Sequence, residues 1–262
     1  MKSGLPSFVL GLLVCPLAVP ALATQGVELA LKGHCPVSYQ TQDKAVPGDA
    51  AFRSVYQGYT YHLADADAKA KFDASPEKYA PQFAGLCTTA LGGPYGNRLN
   101  SDPAVFKIVD GKLYMFSSER ARRSFDTKPA DYIAGAKERF SKPTLSGYCP
   151  VSLHHGGAPV KGGEKLQQTY LGRVYHFADQ AAVEAFLKEP GKYAPAYDGF
   201  CAEGVSRGKR FPGDPKVFVI RGGRTYFFFD EKGKQLFEAD PAKMIQAADA
   251  AWPELRNAPP TP

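Results

Sequence analysis

The chain has 262 residues, with 32 Lys and Arg set against 26 Asp and Glu for a formal charge of +6. The surplus is scattered, and its densest run, Arg120 to Arg123, has the spacing of a solvated helix face. That excludes the stripe-like basic footprint of a nucleic-acid binder. The length allows two domains with cores of ordinary size.

In chain order, the first feature is a weakly basic start at Met1-Lys2, then an apolar run from Phe8 to Leu17, then Ala21-Leu-Ala23. This pattern predicts a cleavable secretory signal over residues 1–23 and a mature chain from Thr24, periplasmic or secreted. The apolar run is shorter than the ~20 residues that span a bilayer, and no later segment approaches that length. Val14 before Cys15 speaks against a lipoprotein signal. Four cysteines remain after cleavage, Cys35, Cys87, Cys149 and Cys201.

Internal repetition then sets the organisation. Tyr56, Gly58, Tyr61, His62, Phe72, Pro76 and Tyr79 return 114 residues later as Tyr170, Gly172, Tyr175, His176, Phe186, Pro190 and Tyr193. Gly33-His-Cys35 returns as Gly147-Tyr-Cys149, and Gly85-Leu-Cys87 as Gly199-Phe-Cys201. Past that point the offset slips to 112, taking Asp102 to Asp214, Tyr114 to Tyr226 and Phe125 to Phe237. Two tandem domains are expected, over 27–142 and 143–256, with 257–262 a disordered tail. A fainter repeat at an offset of 53 takes Gly58 to Gly111, Tyr61 to Tyr114 and Phe72 to Phe125.

Each repeated unit reads as ββα. Phe106 to Phe116 is two strands joined at Asp110-Gly111, a dipeptide suited to the positive φ angles of a tight hairpin. Asp65 and Ser117-Ser118 stand where helix caps belong, and Pro76 closes the first helix. The predicted fold class is α+β, two domains of two hairpin-helix units each, with small antiparallel sheets that share a core because a lone hairpin is barely stable.

The candidate chemistry follows the repeat. Each domain keeps a Cys, a His and a Cys: Cys35, His62 and Cys87, then Cys149, His176 and Cys201. Thiolate and imidazole together suit zinc or copper, and thiolates favour Cu(I). Met115 offers a thioether in the first domain only, since the second has Phe227 there. The alternatives stay open. A strand histidine bonding a backbone carbonyl accounts for His62 and His176. Disulfides Cys35–Cys87 and Cys149–Cys201 would close loops of about 53 residues and contribute roughly 4 kcal/mol each. His154-His155 lies in a Gly-rich loop with no counterpart in the first domain. No Ser, His and acid set recurs, and no phosphate-binding Gly loop follows a strand, so no enzyme is expected.

Tyr-x-Gly-x-x-Tyr-His followed by a Phe-bearing helix and Pro-x-Lys-Tyr-Ala-Pro resembles the YHS domain in both copies. Gly147 to Ser152 and Gly199 to Ala202 are similar to the longer, exported bacterial form. The resemblance implies heavy-metal binding, copper above all. The chain departs from the family at Leu63 and Phe177, where the motif has serine, and at Ala64 and Ala178, where short metal-pump versions place a cysteine. The expected function is therefore an exported, non-enzymatic copper-binding protein with one Cys/His site per domain. The alternative is a metal-free, disulfide-braced envelope module for a protein or small-molecule partner.

Overall fold

A computed structural model describes residues 28–257. The expected secretory signal over residues 1–23 and the chain beyond Asn257 lie outside the described residues. The chain runs four times through one sequence of events: a tight left-handed turn, a cysteine, a short helix, a hairpin and a longer helix. In the first unit, β1 (Glu28–Leu29) leads to the turn Ala30–Gly33, then α1 (Pro36–Gln42), β2 (Asp49–Tyr56), β3 (Tyr59–Leu63), α2 (Ala66–Ala74) and α3 (Pro76–Tyr79). The second has the turn Gln82–Gly85, α4 (Thr88–Gly92), β4 (Asp102–Val109), β5 (Lys112–Phe116), α5 (Glu119–Thr127) and α6 (Pro129–Phe140). The third has the turn Thr144–Gly147, α7 (Pro150–His154), β6 (Gly163–Tyr170), β7 (Arg173–Phe177), α8 (Gln180–Lys188) and α9 (Pro190–Tyr193). The fourth has the turn Ala196–Gly199, α10 (Ala202–Ser206), β8 (Asp214–Arg221), β9 (Arg224–Phe228), α11 (Glu231–Ala239) and α12 (Pro241–Leu255).

Local chemistry explains the elements. The hairpin turns Gln57-Gly58, Asp110-Gly111, Leu171-Gly172 and Gly222-Gly223 all hold two positive φ angles, which match the twist of paired strands. Asp65, Ser118, Asp179 and Asp230 cap α2, α5, α8 and α11 by accepting from the backbone N–H three residues on. Pro76, Pro129, Pro190 and Pro241 each end one helix and open the next at its first position. The turns before the cysteines are strained, since two non-glycine residues precede the glycine in left-handed geometry, as at Leu31 (φ 50) and Lys32 (φ 49). Such residues cost about 1–2 kcal/mol each. The turn is held by His34 N–H donating to Leu31 O and Gly48 N–H to Gly33 O, with counterparts in the third and fourth units.

The sheets are small: β4–β5, β6–β7 and β8–β9 are antiparallel pairs, while β1 adds a parallel strand to β3 beside β2. Along each second strand alternate residues point inward. Tyr61 and Leu63, Tyr114 and Phe116, Tyr175 and Phe177, and Tyr226 and Phe228 pack in four separate apolar clusters. Met115 points the other way, joining Tyr39 and Leu113 between units one and two, and Phe227 does the same with Leu145 and Leu153 between units three and four.

The halves meet through their first hairpins. Leu171 N–H donates to Gln57 O at 2.8 Å, and a Cβ at Gly58 would lie 2.5 Å from the Tyr170 ring, so no side chain fits there. Pro143 pairs with Val174 much as β1 pairs with β3. At the far end Arg256 returns to Glu28 and closes the chain on itself.

Candidate functional site

The pleat that builds the cores also parts the cysteines from the histidines. Cys35 is buried with Tyr61 and Leu63, and His62, between those two in sequence, lies on the opposite face of β3. There a Cβ at Gly33 would be 3.6 Å from its Nδ1, and the His62 backbone presses on Gly48. Cys149 shares a core with Tyr175 and Phe177, while His176 turns away onto Gly147 and Gly162. The repeated histidine therefore packs on the glycines that frame the left-handed turn. Cys87 and Cys201 belong to two further clusters. All four thiols are free and buried, and the Cys87 sulfur accepts from Ser117 Oγ at 3.4 Å. The structure does not bring Cys35, His62 and Cys87 together, nor Cys149, His176 and Cys201. Among the described residues no group of three His, Cys, Asp or Glu is arranged to hold a metal.

The thiol state has a direct check. Thiol titration of the chain starting at Thr24 is expected to find four free thiols after denaturation and slow reaction before it. A count of zero under oxidising purification would restore the disulfides.

His154 is not simply a loop residue. Its ring meets Tyr193 edge-on at 5.2 Å and its Nδ1 lies 3.3 Å from Thr225 Oγ1, while burial and the nearby Lys192 and His155 push its pKa down.

The concentration of charge lies elsewhere, where the halves meet. Asp198, in the left-handed turn of the fourth unit, accepts from Arg173 Nε at 2.8 Å and Arg256 Nε at 3.2 Å. Its side chain is 11% exposed, and those of Arg173 and Arg256 are 13% and 15%. Burial alone would raise this carboxyl, but the two guanidinium groups outweigh it and hold it below the usual carboxylate range. Arg256 also pairs with Glu28 and donates to Leu171 O at 3.1 Å. Arg210 donates to Arg256 O at 3.0 Å, and Arg98 to Gly172 O at 2.5 Å. Arg98 is pushed down to about 9, first by burial and then by Arg173.

Four arginines thus surround two acids. Arg98 and Arg173 line a cavity of about 470 Å³ between the halves, with Arg139 and Lys142 farther round its wall and Leu91, Phe140, Leu145 and Phe200 as its apolar part. The Nε of Arg98 and one terminal nitrogen of Arg173 (Nη2) are buried without a hydrogen-bond acceptor among the described residues. Each such donor costs about 1–3 kcal/mol.

The cavity is itself a product of the repeat. Leu31, Tyr59, Ala84 and Gly85 line a smaller space of about 180 Å³ in the first half. Their counterparts at the 114-residue offset, Leu145, Arg173, Asp198 and Gly199, line the larger one. The first hollow holds Tyr59 and Ala84 where the larger one holds Arg173 and Asp198. Only a fragment of the charged set recurs in the chain, Arg98 returning as Arg210 at the 112-residue offset.

Comparison with protein-family models, with curated proteins and with solved structures found no match to this chain.

Proposed function

We propose that this protein is a non-enzymatic binding module that holds a small anion in the cavity between its two halves. The observation that carries the reading is the set of cationic side chains, Arg98, Arg139, Lys142 and Arg173, that line one cavity, two of which, Arg98 and Arg173, also hold a buried guanidinium nitrogen without an acceptor among the described residues. An oxyanion is the counter-charge such a lining recruits. Guanidinium donors suit carboxylate and phosphate oxygens, and the low dielectric of a buried site strengthens the contact. The site has cations to bind with, Arg98, Arg139, Lys142 and Arg173. A metal reading draws no such support, because the pleat sets each histidine and its cysteine on opposite faces.

Titration calorimetry of the full mature chain with inorganic phosphate and sulfate tests the reading. Arg98→Met removes one charge-assisted donor worth about 1.5–3 kcal/mol, so affinity is expected to fall roughly ten- to a hundredfold. Neither anion binding, or binding unchanged by the substitution, would sink the proposal.

A further inference from the structure

The seam between the halves holds a further cavity, of about 430 Å³, where the tip of the β2–β3 hairpin meets the end of β6, the end of α8 and α9. Tyr56, Tyr170, Phe186, Leu187 and Pro190 give it a wall that is mostly carbon. Its two charged side chains, Glu189 and Lys192, pair with each other at 3.7 Å. Tyr170 is 8% exposed, its ring held edge-on to Phe186 at 5.8 Å and against Gly58. Its hydroxyl has no hydrogen-bond partner among the described residues and lies 3.9 Å from where a Cβ at Gly191 would stand. The same face of the first half is charged. At the 114-residue offset Leu187 corresponds to Asp73, Val183 to Lys69 and Gly191 to Glu77. Asp73 pairs with Lys69 and accepts from Ser54, whereas Leu187 stands 54% exposed beside the cavity.

We infer that this cavity binds a small neutral molecule with an apolar body and one hydrogen-bonding oxygen, independently of the anion site proposed above. Its volume lies within the range of small-molecule sites, about 300–1,000 Å³, and such sites combine an apolar lining with a few placed polar groups. The apolar body leaves water for the wall between Tyr56 and Leu187. The oxygen meets the Tyr170 hydroxyl, which can donate or accept. An ion would shed water against a wall whose own charges already cancel, so a charged analogue is disfavoured.

The test is calorimetry of the protein with naphthalene, 2-naphthol and 2-naphthoate, which share one apolar body and differ in its polar group. Excess phosphate in the buffer keeps the naphthoate from the arginine cavity. 2-Naphthol is expected to bind about five- to tenfold more tightly than naphthalene, the worth of one hydrogen bond, and at least about tenfold more tightly than 2-naphthoate. Tyr170→Phe keeps the ring and should bring 2-naphthol down to the affinity of naphthalene. Gly191→Leu puts a side chain into the cavity at a position without positive φ, and should abolish binding of both while leaving the urea midpoint no lower than in the native protein. No binding of 2-naphthol, binding that survives Gly191→Leu, or 2-naphthoate as tight as 2-naphthol would overturn the inference. A dimer in sedimentation that Leu187→Asp dissociates would also overturn it, since a second copy would then cover this face. The anion site stands or falls separately on its own titration.

Discussion

Asp198→Asn is expected to destabilise the protein by about 3 kcal/mol or more, read as a shift in the urea midpoint, while raising its affinity for phosphate. The side chain keeps its shape and loses its charge. Arg173 and Arg256 are each less than a third exposed, so the ion pairs at Asp198 are not the exposed kind worth at most ~1 kcal/mol. Removing one partner of a buried pair leaves uncompensated charge, which costs about 3–5 kcal/mol. Arg173 would lose the carboxylate it donates to, and Arg256 would keep Glu28, itself 38% exposed. The same excess charge is what an anion neutralises, so added phosphate should restore more stability to the variant than to the native protein. Saturation at a hundred times Kd stabilises by about 2.7 kcal/mol. The sign with pH follows from the lowered pKa. Asp198 contributes stability above the ordinary carboxylate range, and that contribution is lost as pH falls through its folded pKa. Asp198→Asn should therefore flatten the acid limb of the stability curve. A loss below 1 kcal/mol, or no gain in phosphate response, would refute the account.

What was legible in the chain was what is local. The hairpin turn at Asp110-Gly111 and the caps at Asp65 and Ser118 depend on a few adjacent residues, and the structure has them. The short helices after the cysteines and the parallel strand β1 leave no such mark, because α1 has seven residues and β1 only two, too few for a periodic pattern. In the sequence Pro76 marks only a helix stop, although Pro76 and Pro129 each also begin the next helix. The alternation Tyr61-His62-Leu63 already says that the histidine opposes its neighbours. What it cannot say is that Cys35 sits on the side of Tyr61 and Leu63, and that fact separates thiol from imidazole. The cationic cavity was hidden for a different reason. Arg98, Arg173, Asp198 and Arg256 come from segments that only tertiary docking assembles, and no spacing links them.

Stability is expected to fall steadily as pH rises past about 10, because the cores and the junction are built on tyrosines. Burial raises Tyr39, Tyr59, Tyr61, Tyr175 and Tyr197 well above their ordinary value of 10.0. Tyr39 keeps its proton on a bond to Pro103 O at 3.0 Å, and Tyr197 donates to Asp249 at 2.9 Å. In the unfolded chain all five ionise near pH 10 while the folded chain holds their protons. A group with a raised folded pKa gives stability that is present below the unfolded pKa and lost above it. Arg98 works in the opposite direction. Folded near 9 against an ordinary 12.5, it adds stability as pH rises between those values. One such group offsets one tyrosine, so the tyrosines prevail. Each proton held by the folded state and not the unfolded one contributes about 1.4 kcal/mol per pH unit to the slope. Tyr61→Phe should remove one unit of that slope, since Tyr61 packs its ring against Phe72 at 4.8 Å, a contact phenylalanine keeps. The measurement is the urea midpoint from pH 8 to 11 for both proteins, with tyrosinate absorbance recorded on the folded chain. A flat stability curve, or tyrosinate appearing near pH 10 before unfolding, would contradict it.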